Sequence, residues 1–275
     1  MYLFLLKAKE GTDVIKIENL CAGYDKKQIL YDISLSVPKG TLISVIGPNG
    51  SGKSTFLKST IGIINPSEGT VIIDDIDTKS MTQREIAMKT SYLAQGKGAP
   101  DMTVEQMVLH GRFPYLSYPR RYSDNDKKIA SRVMEKMGIS DLATRQISSL
   151  SGGMRQNAYI AMALAQDTDY ILLDEPTSFL DIAHQLDLMR TLRDLADSGK
   201  GIVSVLHDLP LAFTFSDTIL IIKDGRIVQC DTPDAICKSG IVKDIFGVDL
   251  YYSADKKSYF YLLGSSPVFQ YNKND

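Results

Sequence analysis

At 275 residues and 44% hydrophobic content, the chain can bury one large core, or a core with a sizeable insertion. A formal net charge of -2 offers no basic balance of the kind that draws a protein to nucleic acid. Cys21, Cys230 and Cys237 form no C-x-x-C pair and leave an odd thiol, which reads as reduced cytosolic cysteine and not as a disulfide or zinc framework.

The apolar start, Met1–Leu6, ends at Lys7 and is too short for a signal-peptide core or a membrane span. No later segment approaches the roughly 20 apolar residues of a spanning helix, so any membrane part is expected from another chain. Val14–Leu20 and Ile29–Val37 read as strands of an antiparallel edge region. Leu42–Ile46 is apolar but for Ser44, as in a parallel strand buried on both faces, and a helix is expected to start near Lys53. Thr70–Ile73 and Ser91–Ala94 are further strand candidates. From about residue 101 to 166 the spacing turns helical, over Thr103–His110, Ser123–Met137 and Gly153–Gln166. This reads as a helical subdomain inserted into an α/β core. Strands are expected to resume at Tyr170–Leu173, Ile202–Leu206 and Thr218–Ile222, with a helix at Ile182–Ala196 and a hairpin turn at Asp224-Gly225. Ile241–Phe269 reads as a small appended α+β piece.

Three stretches carry chemistry. Gly47-Pro-Asn-Gly-Ser-Gly-Lys-Ser-Thr55 fits G-x-x-x-x-G-K-[ST], between a buried strand and a helix. Its glycines let the backbone wrap so that N–H groups face phosphate oxygens, and the helix N-terminus adds positive potential. Lys53 is placed to neutralise the β- and γ-phosphates and Ser54 to bind Mg²⁺. Tyr170-Ile-Leu-Leu-Asp-Glu-Pro176 is an apolar strand delivering Asp174 and Glu175 to its C-terminal edge, the ligand side of such a sheet. Asp174 is expected on the Mg²⁺ side, and Glu175 is expected to orient or deprotonate water. Leu150-Ser-Gly-Gly-Met-Arg-Gln156 opens a long helix with Ser151 as cap and makes a second phosphate-facing N-terminus. One chain needs two such termini for one nucleotide only if the second faces a partner's. Asp74, Asp75 and Asp77 lack the pattern of a calcium loop and read as a solvated turn; His110 and His184 read as surface or structural.

With these motifs in this order, the chain resembles the ATP-binding-cassette family from about Val14 to Leu250, with residues 251–275 as a small extension. The resemblance implies a P-loop NTPase core with a mixed, mainly parallel sheet, an antiparallel edge region and the inserted helical subdomain. It implies that ATP is bound by Gly47, Pro48, Asn49, Gly50, Ser51, Gly52, Lys53, Ser54 and Thr55, with Tyr24 stacked on adenine. It implies that Ser151, Gly152, Gly153, Gln156 and Asp181 serve the site across a head-to-tail homodimer. Lys53, Gln95, Glu175 and His207 would be catalytic, and Ser54, Gln95 and Asp174 would hold Mg²⁺. An integral-membrane permease would dock near Gln95, on the cytoplasmic face, with an extracytoplasmic binding protein engaged indirectly. Asp101–Asp124, Asp181–Gln185, Asp208–Leu211 and Ile245–Asp249 resemble importers of iron–siderophore, haem or cobalamin. Two rivals remain open: an export ATPase, and a soluble switch of DNA repair or translation. The short stretch between Walker A and signature, without sustained heptads, argues against a coiled-coil repair protein.

Overall fold

A computed structural model describes residues 14–25, 27–95 and 98–262. The chain begins with a hairpin of β1 (Val14–Tyr24) and β2 (Lys27–Pro38), followed by β3 (Leu42–Ile46) and α1 (Lys53–Thr60). Next come β4 (Glu68–Ile73), β5 (Ile76–Asp77), α2 (Gln83–Lys89) and β6 (Thr90–Leu93). Three helices follow without an intervening strand: α3 (Val104–His110), α4 (Asp124–Lys136) and α5 (Gly152–Ala165). The chain then alternates through β7 (Tyr170–Asp174), α6 (Ile182–Asp197), β8 (Gly201–Val205), α7 (Leu209–Phe215) and β9 (Thr218–Lys223). It closes with β10 (Arg226–Asp231), α8 (Pro233–Ser239), α9 (Ile241–Phe246), β11 (Asp249–Ser253) and β12 (Ser258–Leu262).

The strands form a six-stranded sheet in the order β10-β9-β3-β8-β7-β6, parallel except for β10, and an antiparallel sheet β2-β1-β4-β5. Alternation within the buried strands explains why they read as continuous apolar runs. Ile43, Val45, Leu172, Val203, Val205, Leu220 and Ile222 point toward the antiparallel sheet and α1. Leu42, Ile46, Ile171, Leu173, Ile202, Ile219 and Ile221 point into the other core, among the helices. With period-2 side chains and both faces covered, both sets are apolar, and Ser44 and Ser204, buried in the same strands, carry only small hydroxyls.

The helical insertion is held by its own polar contacts. Thr103 and Ser123 each cap a helix in a reciprocal box, with Gln106 and Asp126 as partners. The buried Arg112 guanidinium pairs with Asp126 at 3.0 Å and donates to the Ala165 and Gln166 carbonyls ending α5. These orphan carbonyls thereby gain a charged donor.

Two features differ from the sequence reading. Helices α2, α7 and α8 stand where no element was expected; each is short, and α2 and α8 each bury a single residue, Ile86 and Ile236. Asp74 is not a solvated turn residue. It pairs with Lys89 and accepts from the fully buried Tyr170 hydroxyl at 2.8 Å, because the β4–β5 turn folds back onto the start of β7. Of the expected piece Ile241–Phe269, the described part comprises α9, β11 and β12; residues 263–269 lie outside the described residues, as do residues 1–13. All three cysteines are free thiols.

Candidate functional site

Buried β3 ends at Ile46, and the loop that follows turns sharply into α1. Gly47 is required by a close approach: a Cβ there would lie 2.0 Å from the Ile222 carbonyl oxygen on β9. The loop bends around Lys53, whose Nζ donates to the Gly47 and Pro48 carbonyls at 2.8 and 2.9 Å. Burial pulls the Lys53 pKa below its ordinary value, while Glu175 and Asp174 act to raise it. The ammonium is thus held inside the loop, close to two carboxylates. Among the described residues the buried Ser51 hydroxyl has no hydrogen-bond partner, leaving a polar group at the loop that a phosphate oxygen could satisfy.

This loop forms one wall of a cleft of about 780 Å³, which Gln95, Glu175 and His207 close from the opposite side. Those three come from consecutive strand ends of one sheet. Gln95 follows β6, Glu175 follows β7 and His207 lies just past β8. They converge on one carboxylate: Gln95 Nε2 donates to Glu175 Oε2 at 2.6 Å, and His207 Nε2 lies 2.7 Å from Oε1. A carboxylate only accepts, so His207 carries its proton on Nε2 in this contact. Glu175 adopts φ 52°, in the left-handed region, which costs about 1–2 kcal/mol for an L-residue. Such strain is concentrated where a side chain must be aimed.

Asp174 lies beneath this group, 1% exposed. Ser54 Oγ donates to its Oδ1 at 2.9 Å and the Tyr92 hydroxyl to its Oδ2 at 3.3 Å. Burial, reinforced by Glu175, holds the Asp174 pKa above its ordinary value, although Ser54 and Tyr92 oppose that shift. Burial, with Asp174 adding to it, keeps the Tyr92 phenol firmly protonated. A hydroxyl beside a carboxylate is a hard-oxygen pair that suits Mg²⁺, which retains waters and takes phosphate oxygens as its remaining ligands. No cluster of three or more metal-binding His, Cys, Asp or Glu occurs among the described residues.

Other expected site residues lie apart from this cleft. Tyr24 ends β1, half exposed, while Lys27 and Ile29 line the cleft beyond it. Ser151 caps α5 by accepting from Met154 N–H, and Gly152 and Gly153 open that helix away from the cleft wall. Gln156 donates to the Pro176 carbonyl at 2.9 Å, so α5 is tied to the segment directly after Glu175. Asp181 caps α6. The chain therefore presents a phosphate-type cleft and, separately, a second helix N-terminus.

Sequence reading missed Tyr92 on Asp174, and it missed Gly225, whose N–H donates to the Ser51 carbonyl at 3.1 Å. Tyr92 had one available signal, its place on the strand leading to Gln95. Gly225 had only its role in a hairpin turn.

Comparison with known proteins gives a consistent family. The ABC transporter family profile matches residues 30–178. The petrobactin import ATP-binding protein FpuD of Bacillus anthracis is 37% identical over 243 residues, covering 88% of this chain and 89% of that protein. The iron(3+)-hydroxamate import ATP-binding protein FhuC of Bacillus subtilis is 38% identical over 246 residues, covering 89% and 91%. Among solved structures, a bacterial ABC transporter cassette in dimeric form superposes with a TM-score of 0.71 at 30% identity, covering 80% of this chain and 98% of that one.

Proposed function

Because this chain belongs to the ABC transporter family as an ATP-binding subunit that hydrolyses ATP, we propose that it energises uptake of an iron chelate or a cobalamin-like corrinoid. The observation carrying this reading is identity of 37–38% to two iron-chelate import subunits over nearly the full length of both partners. No helix among the described residues is long and apolar enough to cross a membrane. In this reading the subunit sits on the cytoplasmic face of a membrane, where a permease made of other chains docks near Gln95. An extracytoplasmic binding protein delivers the cargo, and this subunit does not touch it.

ATP occupies the cleft with its phosphates along Gly47–Thr55 and its adenine toward Tyr24. The separation of the cleft from Ser151–Gly153 supports a head-to-tail homodimer in which each nucleotide lies between one copy's loop and the other's α5 N-terminus. Ser54 and Asp174, with Gln95 nearby, would hold Mg²⁺, which neutralises phosphate charge when bound. Lys53 contributes a fixed positive charge to the same phosphates. Glu175 accepts a proton from, or orients, the attacking water, and its position is set by Gln95 and His207. His207 and Gln95 can exchange Glu175 for phosphate or water, which links occupancy of the cleft to the posture of both strand ends.

The cargo assignment is tested by reconstituting the subunit with its permease and binding protein in vesicles and measuring ATP hydrolysis with different loads. Ferric siderophores or haem-type chelates are expected to stimulate hydrolysis several-fold, while unrelated sugars and amino acids leave it at the basal rate. Stimulation by an unrelated solute alone contradicts the assignment.

A further inference from the structure

The segment that joins the catalytic carboxylates to α6 contains a contact that helix capping alone does not require. Asp181 Oδ1 accepts the His184 backbone N–H at 2.9 Å, as an N-cap should, and the same oxygen lies 2.7 Å from His184 Nδ1. A carboxylate offers no proton, so Nδ1 is the donor whether or not Nε2 is protonated. The two side chains are 67% and 58% exposed, and the neighbouring apolar residues Phe179 and Ile182 are 76% and 77% exposed. This segment lies against the start of α5: a Cβ on Gly153 would lie 3.3 Å from the Phe179 carbonyl oxygen. Asp181 therefore belongs to the same surface as Ser151–Gly153. The His184 ring also lines a groove of about 330 Å³ between α4–α5 and α6, whose charged members are Lys136 and Asp187. Asp187 is paired with Arg190 at 3.0 Å, and the carboxylate that the ring engages is Asp181.

We infer that His184 is a positioning residue for ATP hydrolysis, its Nδ1–H fixing the Asp181 carboxylate in one orientation on the surface that meets a second copy. The inference rests on the shared-site reading and on Asp181 acting between the two sites. Beyond the backbone N–H that the cap accepts, the His184 ring supplies a side-chain hydrogen bond to this exposed carboxylate, which narrows the rotamers open to it at the moment of assembly. Losing it leaves Asp181 as a helix cap through the backbone N–H, so α6 persists, while the carboxylate gains alternative rotamers. Asp181 and His184 do not line the cleft of the Gly47–Thr55 loop, so the loss is expected to fall on turnover and not on affinity.

The test uses the full chain with four variants: His184→Leu, His184→Asn, Asp181→Ala and the double variant His184→Leu with Asp181→Ala. Asn places an amide nitrogen where Nδ1 stands; Leu keeps the bulk and removes the donor. His184→Leu is expected to lower kcat for ATP about five-fold, the scale of one hydrogen bond, with KM for ATP within two-fold of the parent. His184→Asn is expected to recover most of that loss, and His184→Leu is expected to add nothing in the Asp181→Ala background. An unchanged kcat in His184→Leu overturns the inference. So does failure of Asn to rescue, or multiplication of the two single effects in the double variant, since each marks a role that does not run through Asp181. An unchanged kcat in Asp181→Ala removes the premise instead, and with it the assigned role of Asp181 in the shared site.

Discussion

Asp174 shows how a single side chain can serve the site at the expense of the fold. It is a buried carboxylate with a raised pKa, so the folded chain binds its proton more tightly than the unfolded chain does. Its contribution to stability is therefore complete below the unfolded-state pKa and is lost as pH rises through the folded-state value. At neutral pH the charge is a net cost, tolerated because a metal–phosphate group can use it. Asp174→Asn keeps an acceptor for Ser54 and removes the charge. We expect this variant to melt at a higher temperature than the parent at neutral pH without nucleotide, by a few degrees. The difference is expected to vanish at acidic pH, where the parent's carboxyl is protonated. The variant is also expected to lose the additional stabilisation that Mg²⁺ with ATP gives the parent; thermal melts at several pH values, with and without nucleotide, measure both effects. A parent that outlasts the variant at neutral pH would contradict this account of Asp174.

At the scale of elements, long runs rich in apolar residues were legible because burial on both faces selects against polar side chains, small hydroxyls such as Ser44 and Thr218 excepted. Leu42–Ile46, Tyr170–Leu173 and Thr218–Ile222 all match strands to within a residue. The helices of the insertion were legible for a different reason: each starts at a Thr or Ser whose cap fixes the boundary, at Thr103, Ser123 and Ser151. The short helix α2 carried the same mark as α3, a Thr cap in a capping box, here Thr82 with Glu85. It buries only Ile86, however, where α3 buries Val104, Met107 and Val108, so it showed no apolar stripe. Helix α7 was hidden because Leu209–Phe215 is nearly all apolar and has no polar face to reveal a stripe. Most of the expected site residues could be placed because their motifs are contiguous in sequence. Tyr92 and Gly225 could not, because their partners, Asp174 and Ser51, lie 82 residues away for the first and on a different strand end for the second.

The hairpin turn at Gly225 supplies a prediction at this scale. The residue sits at φ +73°, and a Cβ there would lie 1.9 Å from the Ile29 carbonyl oxygen, on the strand that flanks the phosphate loop. Its N–H also supports the loop through the Ser51 carbonyl. Gly225→Val is expected to destabilise the chain by more than about 1 kcal/mol, from positive φ and steric overlap together. It is also expected to weaken ATP binding, although it touches no phosphate. Chemical denaturation and nucleotide titration of the same preparation check both; unchanged affinity with lowered stability would show that the turn does not set the loop.

For the whole molecule, the organising feature is that one chain holds a glycine-loop cleft and, outside its lining, a second helix N-terminus, which in the proposed function are two phosphate-binding devices. The cleft of β3 and α1 has its charges, its carboxylates and its strand-end switches in one place. The α5 N-terminus carries no acidic residue in its first turn and is bordered by the exposed Met154 and Phe179. The Gln156 contact to the Pro176 carbonyl ties the second device to the segment that aims Glu175 in the first. A rigid link of this kind lets nucleotide at one copy's cleft bias the posture of the surface offered to the other copy.

The central claim, a nucleotide shared between two copies, is tested most directly by sedimentation of Glu175→Gln with and without ATP. On the proposed role of Glu175, that variant is expected to bind ATP without hydrolysing it, and so to sediment as a monomer alone and as a dimer with ATP. Adding Ser151→Arg to the same chain is expected to leave ATP bound and the species monomeric. A Glu175→Gln chain that stays monomeric at saturating ATP, or a dimer indifferent to Ser151→Arg, would contradict the shared site.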